Sequence, residues 1–436
     1  MLEYHIQKFC ESVQNDYKKI GIDDFELSIS NSNALSAQTR NVKLENIESA
    51  EVSTMSLNVM IGKKQATLTT NNVENINIRD FLEKGKFMAN SSPEDPFAGL
   101  PDLDEYEKSF ENLNLEDKTV IDEDKLIASA LQAEEKMLSI HGVTNTEGAS
   151  ASSTKSKITF LSSKGFFESY IKTLFSISTI AIAGKNTNMQ RDYDYSASVH
   201  LHKLKNATEI GKKAGERAVS RLNAKKIKSC FIDVVFEPRI AKSLLSSLAS
   251  CISGTSIARG TSFLSDKMNQ QICNKNINII NMPKLNGGIG SIPFDTRGIK
   301  SSNLNLVENG YLKNYLLGLR SSRQLNLKPN GNSNPYNLTL SKGNIAPKDL
   351  IQSLKKGFYV TEMLGMSFNP VNGDYSRGAA GFMIENGKIT FPINEVTIAG
   401  NMNDILKKIE PANDLEIKEN INSPTILVKN MSLAGI

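Results

Sequence analysis

Tryptophan is absent from the 436-residue sequence, and aromatic residues make up only 7% of it. No surface on which bases could stack is therefore indicated. The net charge is only +4, and the positive residues are spread along the chain, whereas a nucleic-acid-binding protein usually concentrates them in one stripe. We therefore expect no direct nucleic-acid partner.

Cysteine and long apolar runs are also scarce. The four cysteines have no C-x-x-C spacing, which in a chain of this length predicts free thiols in a reducing cytosol. The longest apolar run, residues 174–183, contains Ser and Thr and is about half the length of a membrane span. The first ten residues show no basic segment followed by an apolar one, so no signal peptide is expected. We expect a cytoplasmic protein without a membrane partner.

Histidine occurs four times, as His5, His141, His200 and His202. If residues 199–203 form a strand, His200 and His202 point to one face and could bind a metal as a pair. A polar outer strand face explains the same pattern. A metal site needs three or four donors, and no third donor is evident in the sequence. We therefore predict no metal, cofactor or catalytic residue in this chain.

Other catalytic signatures are missing too. No histidine follows His202, which excludes the Ser, acid, His order of the α/β-hydrolases. The glycines at 287, 288 and 290 match neither a P-loop nor a dinucleotide-binding fingerprint. The sequence thus offers no nucleophile system and no nucleotide site.

With 39% hydrophobic residues, a chain of this length can form two or three domains with sizeable cores. Apolar residues at helical spacing predict a helix over residues 2–20, and alternation predicts strands over 25–29 and 56–61. A second helix is predicted near residues 76–88. We assign residues 1–90 to a small N-terminal αβ domain.

The middle of the chain, residues 91–205, is predicted to contain a linker, a helix and a β-meander. Three prolines mark residues 91–101 as a linker or ordered loop. A helix is expected over 122–140 and the meander over 143–204. The Ser- and Ala-rich segment 148–157 is interpreted as a strand with a mobile tip.

Residues 206–436 are predicted to form a large β-rich C-terminal domain with a few helices. Helices are expected over 206–222, 238–252 and 347–356, and a buried strand over 230–236. The other segments read as strands and turns. The fold class that follows for the whole chain is α+β.

The most informative segment, residues 373–401, reads GDYSRGAAGFMIENGKITFPINEVTIAGN. Asn386 and Gly387 predict a type I′ hairpin turn, because both central residues of that turn need positive φ. Pro392 favours an edge position in the second strand, since proline cannot donate a backbone hydrogen bond.

This segment closely resembles the C-terminal signature of the TldD/PmbA family, on its PmbA (TldE) side. Further segments resemble the family across essentially the whole chain: SIPFDTRG at 291–298, NGYLKNYLL at 309–317 and MQRDYDYS at 189–196. The resemblance implies a role in a two-subunit metalloprotease.

In the TldD-type subunit, the resemblance implies an H-E-x-x-x-H motif on a helix in this part of the chain, together with a cysteine near the C-terminus. The corresponding helix here reads RIAKSLLSSLASCISG, without His, Asp or Glu, and the C-terminal segment has no Cys. Zinc and iron sites need imidazole, thiolate or carboxylate donors. The resemblance therefore implies that a TldD-type partner carries the zinc or iron.

The expected function is that of the PmbA/TldE-type subunit of a cytosolic peptidase acting on unfolded peptides or small proteins, in peptide-precursor maturation or antitoxin degradation. The partners are then a TldD-type subunit and an unfolded peptide, with a homodimer expected when the chain is isolated. The candidate partner or peptide contacts are Pro293, Phe294, Asp295, Asp374, Tyr375, Arg377, Gly378, Phe382 and Glu395.

Three alternatives stay open at this point. Asp374, Arg377 and Glu395 are equally explained as turn and salt-bridge residues. The chain could be a non-catalytic peptide-binding or maturation factor that acts without proteolysis. It could also be a peptidase itself, with a different kind of site.

Overall fold

A computed structural model describes residues 2–73, 76–365 and 367–436, with side chains from Phe9 onward. The fold is α+β, as expected, and comprises a long antiparallel sheet, a short mixed sheet and a barrel. Within the described residues, no helix combines the length and the apolar character needed to cross a membrane.

The long sheet consists of β1 (Asp24–Arg40), β2 (Lys43–Ile61), β3 (Lys64–Thr70), β4 (Val143–Ser162), β5 (Phe167–Ala183) and β6 (Gln190–Ser198). The strand order is β3-β2-β1-β4-β5-β6. Because β1 pairs with β4 from Glu26 to Thr39, a single sheet spans the predicted N-terminal and central domains. The predicted strands at 25–29 and 56–61 are only parts of β1 and β2. The segment 148–157, predicted as a strand with a mobile tip, is a strand: it lies inside β4 and pairs with β1 and β5.

Four helices cover one face of this sheet: α1 (Leu2–Ile20), α2 (Ile78–Ser91), α3 (Glu123–Leu138) and α4 (Ala207–Ser220). Phe9 and Val13 of α1 and Leu82 of α2 pack on Phe25 and Leu27 of β1. These side chains recur at helical spacing in the helices and at period two in the strand, so each element places its apolar face in one core.

Helices α3 and α4 pack on the other half of the same face, where Ala130 and Ile210 contact Ala149 and Ala151 of β4. Small side chains allow close contact between the two helices. At Gly211, a Cβ atom would lie only 2.0 Å from the carbonyl oxygen of Ala133. Helix α4 therefore belongs to the sheet, whereas the predicted boundary at residue 206 assigned it to the C-terminal domain.

The elements that follow belong to the C-terminal domain. They are β7 (Cys230–Phe236), α5 (Pro238–Cys251), α6 (Gly254–Ala258), β8 (Ile279–Asn281), β9 (Leu304–Glu308), β10 (Tyr311–Leu312), α7 (Leu319–Gln324), β11 (Leu338–Leu340), α8 (Pro347–Gln352), β12 (Lys356–Leu364), β13 (Asp374–Glu385), β14 (Lys388–Asn401), α9 (Met402–Lys407), β15 (Ile409–Pro411), β16 (Ile421–Asn422) and β17 (Ile426–Ala434). Short 3₁₀ turns occur earlier, at Asn186–Asn188 and Leu201–Lys203.

Strands β8 to β11 and β16 form the short mixed sheet, in the order β10-β9-β8-β11-β16. The remaining strands follow the order β14-β13-β12-β7-β17-β15 and close into a barrel, because β14 also pairs with β17. Asn386 and Gly387 have φ of 49° and 75°, which confirms the predicted hairpin turn. Pro392 lies in the half of β14 that pairs with β13 but not with β17, as expected of an edge position.

A buried ion-pair network joins the long sheet to the barrel. A carboxylate oxygen of Asp192, on β6, is 3.0 Å from Arg239 Nη1, and the other is 3.1 Å from Arg221 Nε. The contact with Arg221 Nε is an ion pair whose geometry does not meet that of a hydrogen bond. Arg221, at the end of α4, also contacts Glu362 of β12 and donates to Thr361 Oγ1 at 3.0 Å. Asp192 and Arg221 are each only about 5% exposed.

The same network continues through Asp194, the second acidic residue of β6. Arg217 of α4 donates to Asp194 at 2.6 Å and to Glu237 at 3.1 Å. Glu237, just before α5, also binds Arg239 at 3.0 Å. The DYDY segment of β6 thus holds α4 and the start of α5 in a fixed relation.

Gly211→Ala should destabilise the protein by about 1–3 kcal/mol, because the added methyl group meets a backbone carbonyl that no rotamer change can move away. Gly85→Ala in α2 is the matched control, since its Cβ would meet only side chains, at 3.1 Å. Urea denaturation should show a clear loss for the first variant and little change for the second. Equal losses would contradict the proposed close helix contact.

Asp192→Asn should lower the unfolding free energy by about 1.5–3 kcal/mol, because Arg221 and Arg239 each lose one of two charged partners in a buried place. The control is Glu395→Gln, which breaks the exposed Lys226–Glu395 pair, with side chains 52% and 64% exposed. That change should cost less than about 1 kcal/mol. Denaturation midpoints measure both, and a small effect at Asp192 would show that the network contributes little.

Candidate functional site

The face of the long sheet opposite the helices is lined by small hydroxyl side chains. Ser36 pairs with Ser152, and Ser152 pairs with Ser176, so one row crosses β1, β4 and β5. The oxygen atoms of Ser152 and Ser176 are 2.7 Å apart. We call this surface the hydroxyl face, and its partly exposed members are Ser32, Ser36, Ser152, Thr154, Ser156, Ser176 and Ser178.

A cleft of about 440 Å³ lies between β6, the strand next to the hydroxyl face, and the C-terminal domain. Its walls are β6 around Tyr195, the glycine-rich loop 285–289 and the segment 416–419. A second cleft of about 220 Å³ shares Lys205, Lys418 and Glu419 with the first and reaches the start of α5. Together they form a groove with both basic and acidic side chains along it.

Glycines in and after loop 285–289 allow it to pack closely on its own domain. A Cβ at Gly288 would lie 2.6 Å from Ser291 Oγ, and one at Gly290 would lie 2.0 Å from Asn420 Oδ1. Lys172 of β5 donates its ammonium group to the carbonyls of Ile289 and Ser291. Burial lowers the pKa of Lys172 to about 8. The glycines, which fit no nucleotide motif, thus form a wall of the groove.

One end of the groove is organised around Glu419. Its carboxylate accepts hydrogen bonds from Tyr195 and Lys242, and Lys242 Nζ also donates to Tyr195 at 2.9 Å. Burial, together with the Glu419 carboxylate, raises the pKa of Tyr195 well above its usual range. None of these three residues was among the predicted contact residues, although Tyr195 lies in the DYDYS segment that resembles the family.

The outer edge of the long sheet is partly open. Strand β3 pairs with β2 only from Met55 to Ile61, so among the described residues the earlier part of β2, from Lys43 to Thr54, pairs with β1 alone. Most of its side chains are exposed. Such an edge presents unpaired backbone donors and acceptors to a further strand.

The three residues of the PFD segment lie at the contact between the C-terminal domain and the long sheet. The Phe294 ring is buried against Phe166 and Tyr170, with ring centroids 5.1 and 5.6 Å away. Asp295 is 2% exposed, and its Oδ1 accepts from two backbone N–H groups at 2.8 Å. Pro293 lines a separate cleft. Phe294 and Asp295 are buried here, so a direct contact with a peptide remains a prediction that would require this region to open.

The GDYSRG segment lies at the start of β13. Asp374 and Tyr375 line a cleft there, which is different from the cleft that Pro293 lines. Asp374 accepts from Asn372 at 2.7 Å in a turn. The Tyr375 ring is buried in the barrel core. The structure therefore does not bring this segment and the PFD segment to one cleft.

The other predicted contacts have ordinary surroundings. Gly378 pairs with Thr397, and a Cβ there would lie 3.3 Å from the Cβ of Leu364, so a larger residue would require a small shift of that side chain. Phe382 is half-buried on β13, and Arg377 is partly buried, with an Nε that has no hydrogen-bond partner. Glu395 forms an ion pair with Lys226, which fits its interpretation as a salt-bridge residue.

Helix α5, the position at which the resemblance implies a metal-binding motif in the other subunit, is a core helix here. Ala241, Leu244, Leu245 and Leu248 are buried in the main core of the C-terminal domain. Cys251 is buried too, and burial raises the pKa of its thiol to about 11. Its side chains do not fit a catalytic metal, because they offer no imidazole or carboxylate and only a protonated thiol.

The two neighbouring histidines have an environment that differs from the expected one. They do not alternate along a strand, because Leu201–Lys203 forms a 3₁₀ turn after His200. A third donor is present: single ligand atoms of Asp117, His200 and His202 all lie within 4.8 Å of one another. The sequence pattern could not reveal Asp117, which lies 83 residues before His200.

The pH dependence of stability should change in Asp295→Asn. Burial raises the pKa of Asp295 to about 6, so the folded state holds this proton more tightly than the unfolded state does. The wild type should therefore lose up to about 3 kcal/mol relative to the variant as pH rises from about 4 to about 7. Paired denaturation curves at both pH values test this, with exposed Asp404→Asn as control. A constant difference would contradict it.

Sequence comparison identifies relatives over nearly the whole chain. Residues 229–435 match the PmbA/TldA metallopeptidase C-terminal domain, and residues 109–222 match the central domain of the same family. A protein named metalloprotease PmbA homolog from Haemophilus influenzae is 31% identical over 94% of this chain and 92% of its own length. Metalloprotease PmbA from Escherichia coli O157:H7 is 30% identical over 95% and 92%.

Solved structures share the fold. A Bacteroides thetaiotaomicron protein named as a candidate modulator of DNA gyrase superposes with a TM-score of 0.93 at 24% identity, covering 99% of both chains. TldE from Thermococcus kodakarensis gives 0.84 at 18% identity, covering 98% of this chain and 100% of its own. Taken with the two matching domains and the relatives at 30% identity, this chain belongs to the PmbA/TldD metallopeptidase family.

Proposed function

We propose that this chain is the PmbA/TldE-type subunit of a two-subunit, cytosolic, metal-dependent peptidase. A TldD-type partner carries the zinc or iron, and the substrates are unfolded peptides or small proteins. The observation that carries the proposal is helix α5. In a chain whose relatives are named metalloproteases, this helix is filled with core side chains such as Leu244 and Leu248.

The hydroxyl face supports the substrate class. Serine and threonine hydroxyl groups both donate and accept hydrogen bonds, so they suit the backbone of an extended chain of any sequence. The groove beside this face is too small to enclose a folded domain, since the volumes of its two clefts are about 440 and 220 Å³. Precursor peptides and short disordered proteins such as antitoxins fit this description.

Strand addition offers a second mode of peptide binding. The barrel is closed by the pairing of β14 with β17, so it is a poor template for an added strand. The open edge at Lys43–Thr54 of β2 is the better template, because main-chain pairing there tolerates many sequences. This assigns strand addition to the long sheet rather than to the C-terminal domain.

A non-catalytic peptide-binding or maturation factor is the alternative. The groove and the core helix α5 support it equally, because neither requires a bond to be cleaved. The two functions differ in one requirement: only the peptidase needs a TldD-type chain with an H-E-x-x-x-H motif. An isolated chain that forms a homodimer is compatible with both, since a surface made for a related subunit can self-associate.

Mixing experiments distinguish the two. The purified chain, its TldD-type partner and an unfolded fluorogenic peptide are combined singly and together, and peptide hydrolysis is measured. We expect hydrolysis only when both chains are present. Activity of the partner alone, unchanged by this chain, would contradict the proposal, and binding without hydrolysis in the full mixture would favour the alternative.

A variant of the hydroxyl face tests the substrate path. Ser152→Tyr places a ring over the row formed with Ser36 and Ser176 and should lower hydrolysis by the mixture severalfold, because it blocks the face. Ser220→Tyr, at the exposed end of α4, is the matched control. Circular dichroism establishes that both variants are folded. Equal activity of the two would show that peptide does not pass over this face.

A further inference from the structure

We propose that Asp117, His200 and His202 form a binding site for one divalent transition-metal ion, with zinc as the reference ion. The site lies where the segment before α3 meets the end of β6, on different elements from α5. It goes beyond the proposed function and does not rest on it, because it needs no partner chain and no peptide.

The chemistry of the donors fits such an ion. Two imidazoles and one carboxylate are a common ligand set for zinc and for non-haem iron, with further positions filled by water. Ligand atoms of the three side chains lie within 4.8 Å of one another. In the part of the chain that the structure describes, this is the one group of three such donors with that spacing.

His200 is held as a metal-binding histidine usually is. Its ring is 7% exposed, and Nε2 donates to the carbonyl oxygen of Asn114 at 2.9 Å. This bond requires a proton on Nε2 and orients the ring, so that in the neutral imidazole the lone pair lies on Nδ1. Nδ1 is 3.9 Å from Oδ2 of Asp117.

Two acceptor atoms therefore face each other in a poorly hydrated place. The Asp117 side chain is 12% exposed and is anchored by the backbone N–H groups of Leu201 and Thr119, each at 2.9 Å. The lone pair of His200 Nδ1 and the carboxylate of Asp117 repel unless a cation or a proton lies between them. A metal ion fills this position with little movement of either anchored group.

His202 supplies the third donor. Its ring centroid is 5.6 Å from that of His200, and its side chain is exposed. Zinc bonds of about 2.0–2.2 Å require ligand atoms roughly 3.3 Å apart in tetrahedral geometry. The exposed ring can rotate to close this gap, because no core packing restrains it.

The positive charge of Lys203 should weaken the binding of a metal ion at this site. Lys203 Nζ and the His200 ring lie 3.5 and 3.6 Å from the position that a Cβ of Gly287 would occupy. The Lys203 ammonium group is thus no further from the His200 ring than the sum of these two distances, and a positive charge in this neighbourhood opposes the binding of a divalent cation. Lys203→Met should therefore bind the metal ion more tightly, whereas a variant that lacks one of the three ligands should bind it more weakly.

Zinc titration of the untagged, chelator-treated full-length chain tests the site, with isothermal calorimetry and the thermal midpoint as readouts. We expect one equivalent bound and a higher thermal midpoint. His202→Ala should weaken binding at least about tenfold and remove the rise in midpoint. His141→Ala is the matched control, since His141 is also an exposed histidine, and it should behave as the wild type does.

Three results would overturn the proposal: no zinc uptake, equal uptake by the wild type and His202→Ala, or weaker uptake by Lys203→Met. Each would leave Asp117 and His200 as a proton-dependent ion pair only. Because the exposed ring of His202 makes no core contact, its removal should leave the fold intact. Unchanged circular dichroism of the variant checks this, and Asp117→Asn provides a second ligand variant.

Discussion

The buried network of Asp192 and Asp194 with Arg217, Arg221 and Arg239 is the interaction on which the rest of the structure depends. It connects β6 and α4 with β12 and the start of α5, and so contributes charged contacts to the position of the barrel over the long sheet, beside the contacts of Lys172 and Phe294. Removing ions from water is costly, so these groups persist only with several partners each. Such a network favours one relative placement of the two parts over others.

That placement creates the groove. Strand β6, beside the hydroxyl face, becomes one wall, and loop 285–289 with segment 416–419 becomes the other. Phe294 closes one side of the contact through its aromatic neighbours, and Glu419 organises the other with Tyr195 and Lys242. The residues first expected to contact a peptide thus include several that help to position the walls.

Helix α5 is a core helix, whereas the resemblance implies a metal-binding helix at this position in a TldD-type subunit. The buried face of α5 contributes to the C-terminal core, so the helix is retained for packing although it lacks donors. The cation site that we propose lies elsewhere, at Asp117, and depends on a 3₁₀ turn after His200. It therefore uses elements other than the core helix α5.

Much of the fold was predictable where local chemistry decides it. The periodicity of residues 2–20 indicated α1, the start of α5 followed from Pro238, and Asn386-Gly387 indicated the hairpin turn. The strand lengths were underestimated at β1 and β2, because their polar halves carry Ser and Glu rather than β-branched residues. Those halves are strands through pairing with partners, which a local pattern does not show.

The sequence by itself determined the longer helices, the hairpin and the absence of imidazole and carboxylate donors from α5, since each depends on residue type and close spacing; the short helices α6, α7 and α9 lie in segments that were predicted as strands and turns. Only the tertiary structure decided that β1 pairs with β4 more than a hundred residues later, that β6 lines a groove beside the hydroxyl face, and that Asp117 approaches His200. Contacts between distant residues form when the free energy of the whole chain favours them, and no short segment carries that information.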